Sequence, residues 1–554
     1  MKKLFVCLFA FCALLSSCVI SEPEMAVPKQ EGVTLTFTAS HESNNPTRTV
    51  LDGTHVLWEP NDAIMIWYST YYAGFQNKNT EPAPVCDFTG TLQLFSDLGA
   101  PDGETYFGAI YPYYYEDDEN FSYYYQGIFG NLFVLDEQDA VEGSYYKYAF
   151  PCVARTLDSH LYFRNLCGGV ILRFSSGCEN YESVVFRANG LEPLAAYEIY
   201  AQMVDFEDGK GEIPYPLEID YATPEVKLVA PEGGFKPGVD YYVAMLPCPL
   251  RAGFSLAFVN KNGQVAVKKF TGAQEIKRSV FGRPGVLDTG LSWQEVDPVV
   301  ANPGQIERQW YIEDTSGNQY LFDVGYSIPG VVMFCDLNHP SFFLDEVASY
   351  TLKRDLFGNA QLSFGEYSGF YEVSEVDANS MTCREFYAFS TWQDPYPYDM
   401  TFSALTSPVV PEYGGLWVEI DGVDYDINID TEKYPDMYAQ FKSIADANDG
   451  NLPIVYMNKY GTTNDFKNVD VNGKVAVFNL GGRVTVPQKV ANAYAAGAIG
   501  VLLINNADGV SLCDVGENTQ IPHGSLLKEV GTKLTGVTSL KCFKPTLEQV
   551  KAAL

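Results

Sequence analysis

Residues 33–40 alternate without a break, Val33, Leu35, Phe37 and Ala39 against Thr34, Thr36, Thr38 and Ser40. A period of two puts every apolar side chain on one face of an extended strand and every hydroxyl on the other, which no helix reproduces. The pattern recurs at His55-Val56-Leu57-Trp58, breaks at a turn, Glu59-Pro60-Asn61-Asp62, and resumes at Ala63-Ile64-Met65-Ile66-Trp67. Few helical periods occur before residue 430, while turn signals arrive about every ten residues among abundant Tyr, Phe, Gly and Pro. The expected fold is therefore mainly β, built from sandwiches or barrels. At roughly 150 residues per domain, the chain has room for about three to four. A formal net charge of −34 argues against nucleic acid as a partner, because phosphate contacts need clustered Lys and Arg.

Lys2 and Lys3 open an apolar run, Leu4 to Leu14, that closes on Leu15-Ser16-Ser17-Cys18. The run is too short to span a bilayer and ends in small residues, as a cleaved leader does. The last four residues resemble the bacterial lipobox. That resemblance implies a lipoprotein signal peptide at 1–17, with Cys18 as the acylated, palmitate-bearing new N-terminus. Several acyl chains hold a membrane far more firmly than one, each buried methylene contributing about 0.8 kcal/mol. Val19 stands where an inner-membrane retention signal has Asp, and Ser21-Glu22-Pro23-Glu24 resembles the acidic tracts that direct lipoproteins outward. The expectation is a lipid anchor in the outer membrane, facing the cell surface, with 18–31 as its tether.

Five histidines (His41, His55, His160, His339, His523) leave few general bases or metal ligands. Of twelve cysteines, Cys7 and Cys12 fall in the leader and Cys18 is the acceptor; the other nine include no CxxC pair and no His neighbour at ligand spacing, so no zinc site is expected. Most sit in apolar runs, as in Val332-Met333-Phe334-Cys335, where a buried small hydrophobe is the natural role. HExxH, Gly-x-Ser-x-Gly and Gly-Thr-Ser nucleophile segments are absent. His523 has no nucleophile or acid beside it, and Asp470-Val471-Asn472-Gly473 lacks the downstream Glu of a calcium loop. The expectation is no enzyme, with no catalytic residue, metal or cofactor.

Thr47-Arg48-Thr49 stands before the hairpin that ends Trp58-Glu59-Pro60-Asn61-Asp62. Ala109-Ile110-Tyr111-Pro112-Tyr113 follows, then Leu161-Tyr162-Phe163-Arg164-Asn165-Leu166-Cys167-Gly168-Gly169, Glu192-Pro193-Leu194-Ala195 and a closing Leu287 to Trp293. In this order and spacing the segments resemble the fimbrillin-like lipoproteins of Bacteroidales. The resemblance implies two tandem transthyretin-like Greek-key sandwiches, at 32–155 and 156–293, and a role as stalk, anchor or tip subunit of surface pili. It also implies a processing site at Arg48. In fimbrillins that polymerise, an arginine-directed protease cuts there, the first strand departs, and another subunit's strand fills the groove. Read from the residues alone, Thr47-Arg48-Thr49 merely ends a strand. Further modules after Trp293 suit a terminal or anchor subunit better than a repeating stalk.

A tyrosine-rich stretch, Tyr113, Tyr114 and Tyr115 with Tyr123, Tyr124 and Tyr125, encloses Glu116-Asp117-Asp118-Glu119. Tyrosine offers large amphipathic contact area at low entropic cost, so these six form a candidate recognition surface or sugar-ring platform; the alternative is aromatics that cap strand ends. From 304 to 405 the chain is again β-rich, entered by Pro303-Gly304 and Gln309-Trp310-Tyr311-Ile312, and reads as a small β-meander or lipocalin-like barrel.

Residues 408–554 change character. Met437, Phe441, Ile444 and Ala445 share one helical face between Glu432 and Asp449; Pro487 to Gly497 is a second helix with Pro in its first turn and a Gly stop. Between and after them run Val475-Ala476-Val477-Phe478 and Ile499-Gly500-Val501-Leu502-Leu503-Ile504, so strand, helix and strand make a parallel crossover. Asn472-Gly473-Lys474, Ala493-Tyr494-Ala495-Ala496-Gly497-Ala498, Asn505-Asn506 and Gly531-Thr532-Lys533-Leu534 resemble the protease-associated (PA) domain, an α/β fold, over about 408–540. Gly481-Gly482-Arg483 stands where most relatives carry Arg-Gly. Two functions remain open: a non-catalytic surface adhesin or pilus tip or anchor subunit meeting other pilus subunits or a host or bacterial protein or glycan, and a substrate- or glycan-binding accessory of a separately encoded hydrolase.

Overall fold

Burial follows the alternation along the second half of β1 (Val33–His41), where Phe37 and Ala39 are buried; Thr34 and Thr36 face out, Leu35 is half-buried, and Val33 at the strand's start is exposed. The structure is a computed structural model. It describes residues 32–42, 57–68, 71–93, 106–112, 122–125, 127–205, 212–314, 316–338, 341–343, 347–364, 369–386, 390–391, 399–430, 433–507 and 520–553. Cys18, Arg48, Tyr113, Tyr114 and Tyr115 lie outside these residues. The chain is mainly β and divides into two compact units: Met1–Pro303 with Thr351–Val376 and Met381–Thr401, and Gly304–Tyr350 with Asp377–Ser380 and Phe402–Leu554.

The first unit begins with β1, β2 (Ala63–Tyr68), β3 (Tyr71–Asn77), β4 (Val85–Leu92), β5 (Phe107–Tyr111), β6 (Tyr123–Tyr125), β7 (Ile128–Val134), β8 (Glu137–Asp139), β9 (Cys152–Thr156) and β10 (His160–Asn165). Seven of them close a barrel in the order β1-β10-β9-β5-β2-β3-β4, so the first expected sandwich closes on itself. Trp58 is wholly buried inside it, with the rings of His41, Phe88, Tyr111 and Phe163 at 4.0, 4.8, 4.9 and 5.3 Å. Its indole N–H donates to the Ala39 carbonyl at 3.1 Å, which stitches β1 to the core. Each large apolar side chain buried here contributes about 1.5–3 kcal/mol. The turn after Trp58 is held by Asp62, whose buried carboxylate accepts from the Glu59 amide at 2.8 Å and the Lys147 ammonium at 2.5 Å.

Next come β11 (Gly168–Arg173), β12 (Tyr181–Ala188), β13 (Ala195–Asp205), β14 (Glu212–Thr223) and β15 (Glu225–Val229). One sheet runs Ser390–Thr391, β14, β13, β7, β6; another runs Val265–Phe270, Phe254–Asn260, β12, β15, β8. Strands do not part at 155/156. β10 lies beyond that point yet pairs with β1, while β7 and β8 lie before it yet pair with β13 and β15. One apolar cluster contains Met65, Trp67 and Ile110 together with Phe129, Phe186 and Tyr241, so a continuous core crosses the expected boundary. At Gly168 and Gly169 an added Cβ would lie 2.0 Å from the Lys277 and Val243 carbonyl oxygens, which is why that motif carries glycine. Arg187 of β12, 3% exposed, pairs with Glu225 at 3.1 Å and with Asp355 and Glu372 of 351–376. Ala360–Phe364, Phe370–Val376 and Ser380–Phe386 pair consecutively and antiparallel, as a meander does.

In the second unit Gln309–Glu313, Gln319–Val324 and Val331–Asp336 form another antiparallel run. The C-terminal sheet has the order Val423–Asp426, Trp417–Ile420, Ser539–Phe543, Asn451–Tyr456, Val475–Asn479, Gly500–Ile504, His523–Leu526, and the last four are parallel. Helix α1 (Met437–Asp446) buries Met437, Tyr438, Phe441 and Ala445; α2 (Val486–Ala495) has Pro487 in its first turn and stops at Gly497, whose φ is 92°. The expected crossover is thus present, though α2 packs through Lys489, Val490 and Ala493 while Ala495 is exposed. Short α3 (Leu547–Ala553) sets Val550 against Leu321, Val331 and Trp417. The eight described cysteines are buried.

Candidate functional site

β1 is the element next to the expected processing site, so its attachments decide what cleavage there would do. It pairs with β4 from Val33↔Leu92 to Ser40↔Val85, antiparallel. On the solvent side Thr34 and Thr36 meet Thr91 and Thr89, hydroxyl to hydroxyl, at 3.3 and 3.0 Å, and Thr38 donates to Asp87 at 2.7 Å. The β10 side differs: its register is parallel and covers only Thr38↔His160 to His41↔Phe163.

The C-terminal end of β1 is locked. His41 stacks on Trp58, its Nδ1 is 3.9 Å from the Cys152 thiol, and its solvent-shielded Nε2 has no hydrogen-bond partner among the described residues. Burial holds its pKa down at about 3, so the ring is neutral. Glu42 follows with its carboxylate buried. It accepts from the Asn165 amide at 2.9 Å, from the Arg278 guanidinium at 2.6 Å, from the Ser279 hydroxyl, and from Arg164 at 3.4 Å. A buried carboxylate with two guanidiniums is costly to remove, about 3–5 kcal/mol, because its partners stay behind uncompensated. Nothing in the sequence marked Glu42. Its donors lie more than a hundred residues away, and a lone acid after an alternating strand reads as solvated surface.

The tyrosines of β6 separate by parity. Tyr124 points inward and is buried over Gly108, where an added Cβ would lie 2.1 Å from its ring, so it contributes no surface. Tyr123 covers Gly130 and is half-buried, and Tyr125 is exposed.

In the second unit the ends of the parallel strands gather around Lys489. Its ammonium is buried and donates to three main-chain carbonyls, Tyr460 at 2.7 Å, Asn479 at 3.1 Å and Gly481 at 2.6 Å. Gly481 and Gly482 take φ of 89° and 77°, which lets the loop wrap over Tyr460 and leaves Arg483 exposed. His523 is buried edge-on to Tyr434 with ring centroids 4.7 Å apart, a packing role. Among the described residues no group of three or more His, Cys, Asp or Glu is placed to hold a metal.

Residues 450–534 match the PA domain family, so the chain carries a PA domain at its C-terminus. No curated protein matches the chain. Among solved structures, an aminopeptidase from Aneurinibacillus sp. strain AM-1 is 28% identical over 17% of this chain and 24% of its own, with a TM-score of 0.16. This chain therefore spans about a quarter of that enzyme's length. A provisionally named cell adhesion protein from Bacteroides uniformis is 13% identical over 47% of this chain and 95% of its own, TM-score 0.27. The tip fimbrial protein Mfa3 from Porphyromonas gingivalis, truncated at its C-terminus, is 9% identical over 47% and 97%, TM-score 0.18. At these TM-scores the likenesses are partial.

Proposed function

We propose that this chain is a non-catalytic, lipid-anchored protein of the cell surface, a fimbrillin-like adhesin or pilus tip or anchor subunit in which the PA domain is an interaction module. The observation that carries this reading is the attachment of β1. The strand closes the barrel, yet it meets β10 over only four residue pairs and is locked at one end by Glu42. Withdrawing it would uncover unpaired main-chain groups on β4 and β10 and the cavity left by Phe37 and Ala39, which an incoming strand fills by β-augmentation. Arg48 stands six residues beyond Glu42, so a cut after it severs the anchor and β1 from the rest of the barrel. The partners are the outer membrane through Cys18, neighbouring pilus subunits, and a host or bacterial surface protein or glycan.

The PA domain favours a second reading, a binding accessory of a separately encoded hydrolase. One experiment separates the two: label cells with palmitate, compare the native chain with Cys18→Ala, and identify what co-purifies with the native chain from the membrane fraction. The expected result is a labelled, membrane-held native chain with pilus subunits bound, and an unlabelled variant released from the membrane. Label persisting in Cys18→Ala would overturn the anchor, and hydrolases in place of pilus subunits would favour the second reading.

A further inference from the structure

The inner face of β1 ends in a titratable side chain. His41 is the strand's last residue, and its odd position turns its ring inward with Phe37 and Ala39. There it stacks on Trp58 at 4.0 Å and meets the rings of Tyr111 and Phe163 at 5.9 and 6.0 Å. The residue as a whole is half-buried, but Nε2 is shielded from solvent and has no hydrogen-bond partner among the described residues, while Nδ1 lies 3.9 Å from the Cys152 thiol.

An imidazolium at this place would face no anion that is not already committed. From β9 it meets the Cys152 thiol and from β5 the Tyr111 phenol, and burial pushes both well above their ordinary ranges, so both are uncharged. Asp62, beyond Tyr111, is bound to the Lys147 ammonium. Glu42, next along the chain, is held by Arg278, Arg164, the Ser279 hydroxyl and the Asn165 amide. His160 of β10 meets the outward-facing Ser40 hydroxyl at 3.1 Å. The Trp58 face attracts a cation, but weakly against the cost of a shielded N–H with no acceptor.

We propose that His41 makes β1 an acid-released strand: the ring is seated neutral, and once the strand has left the barrel and the ring has taken a proton, the strand cannot be reseated until that proton is lost. The inference rests on the strand exchange proposed above and adds its regulation. In water the ring titrates at the ordinary 6.5, whereas in the barrel burial holds it down at about 3. Above 6.5 both states are neutral and pH has no effect. Between 6.5 and 3 withdrawal takes up one proton, so the withdrawn state gains about tenfold per pH unit, and about thirtyfold from pH 7.5 to pH 5. The barrel thus keeps β1 at neutral pH and yields it to an incoming strand in acid.

The test uses the mature chain cut after Arg48 and a labelled peptide of residues 33–40, which ends before His41 so that the peptide's own titration does not enter. The exchange equilibrium, read as peptide bound and resident fragment lost, is measured at pH 7.5 and pH 5 in the native chain, His41→Phe, His41→Gln and Glu42→Gln, with near-ultraviolet circular dichroism as the check on folding. The expected result is exchange favoured about thirtyfold at pH 5 in the native chain and equally in Glu42→Gln, where position 42 does not titrate, with a change within about twofold in both His41 variants. No uptake at either pH would overturn the strand-exchange reading and this inference with it. Uptake that is equal at the two pH values, or an acid increase that survives in both His41 variants, would overturn the inference alone. An acid increase lost in Glu42→Gln would place the switch at the ion cluster, and loss of the near-ultraviolet signal at pH 5 before uptake would make the effect general unfolding; each overturns it as well.

Discussion

Glu42 and His41 are adjacent, and both tie β1 to the barrel by chemistry that depends on protonation or charge. His41 is neutral in the folded chain, with its pKa held down at about 3, whereas in an unfolded chain it titrates at the ordinary 6.5. Between those values the unfolded state binds the extra proton, so stability is fully present above pH 6.5 and is lost as pH falls toward 3. His41→Phe keeps a ring against Trp58 and removes this linkage. Urea unfolding of that variant from pH 7 to 4 should show a shallower fall in stability than the native chain; an unchanged slope would place the acid sensitivity elsewhere. Lys489 gives a second prediction. Lys489→Met leaves three carbonyls without their common donor and should cost about 1–3 kcal/mol in the second unit, read by denaturant unfolding. A neutral result would show that water replaces the ammonium. At this scale the sequence revealed Trp58 and the Asp62 turn, since ring and cap are close in the chain. It did not reveal Glu42 or Lys489, whose partners are brought together only by the fold.

Elements were easier to read than their pairing. β1, the C-terminal helices and the parallel crossover all follow from local periods, and α2 begins and ends where Pro487 and Gly497 dictate. The exchange of strands across 155/156 was not legible, because a period of two says which face is buried and nothing about which neighbour a strand will bond. The tyrosine run shows the same limit: three consecutive tyrosines on a strand cannot all face one way, and Tyr124 is the one turned in. The C-terminal fragment 408–554 carries the prediction at this scale. Its own core, from Leu416 to Cys542, is extensive, but Tyr413, Trp417 and Val550 also pack on Leu321, Val331 and Phe342 outside it. The isolated fragment should therefore unfold cooperatively in urea while binding anilinonaphthalene sulfonate through the uncovered patch, and should hydrolyse no peptide. Non-cooperative unfolding would show that the outside contacts are required. Peptidase activity abolished by substituting one of the fragment's own residues would overturn the non-catalytic reading.

The whole molecule combines an expected lipid anchor, a barrel whose first strand is attached unequally on its two sides, and a PA domain. In the proposed function β1 is the strand that an incoming strand replaces. The residues around Arg48, Asn44-Asn45-Pro46-Thr47-Arg48-Thr49, are polar and include a proline, a composition that proteases favour. The lock at Glu42 means that cutting alone does not empty the groove, so an incoming strand must displace β1 against a buried ion cluster. The direct measurement is limited trypsin digestion of the native mature chain with N-terminal sequencing, followed by binding of a labelled peptide of residues 33–42 to cut and uncut protein, in the native chain and in Glu42→Gln. The expected result is a first cut after Arg48, peptide uptake by the cut product and none by the intact chain, and faster uptake by cut Glu42→Gln. Resistance at Arg48, or a cut product that takes up no strand in either form, would contradict it.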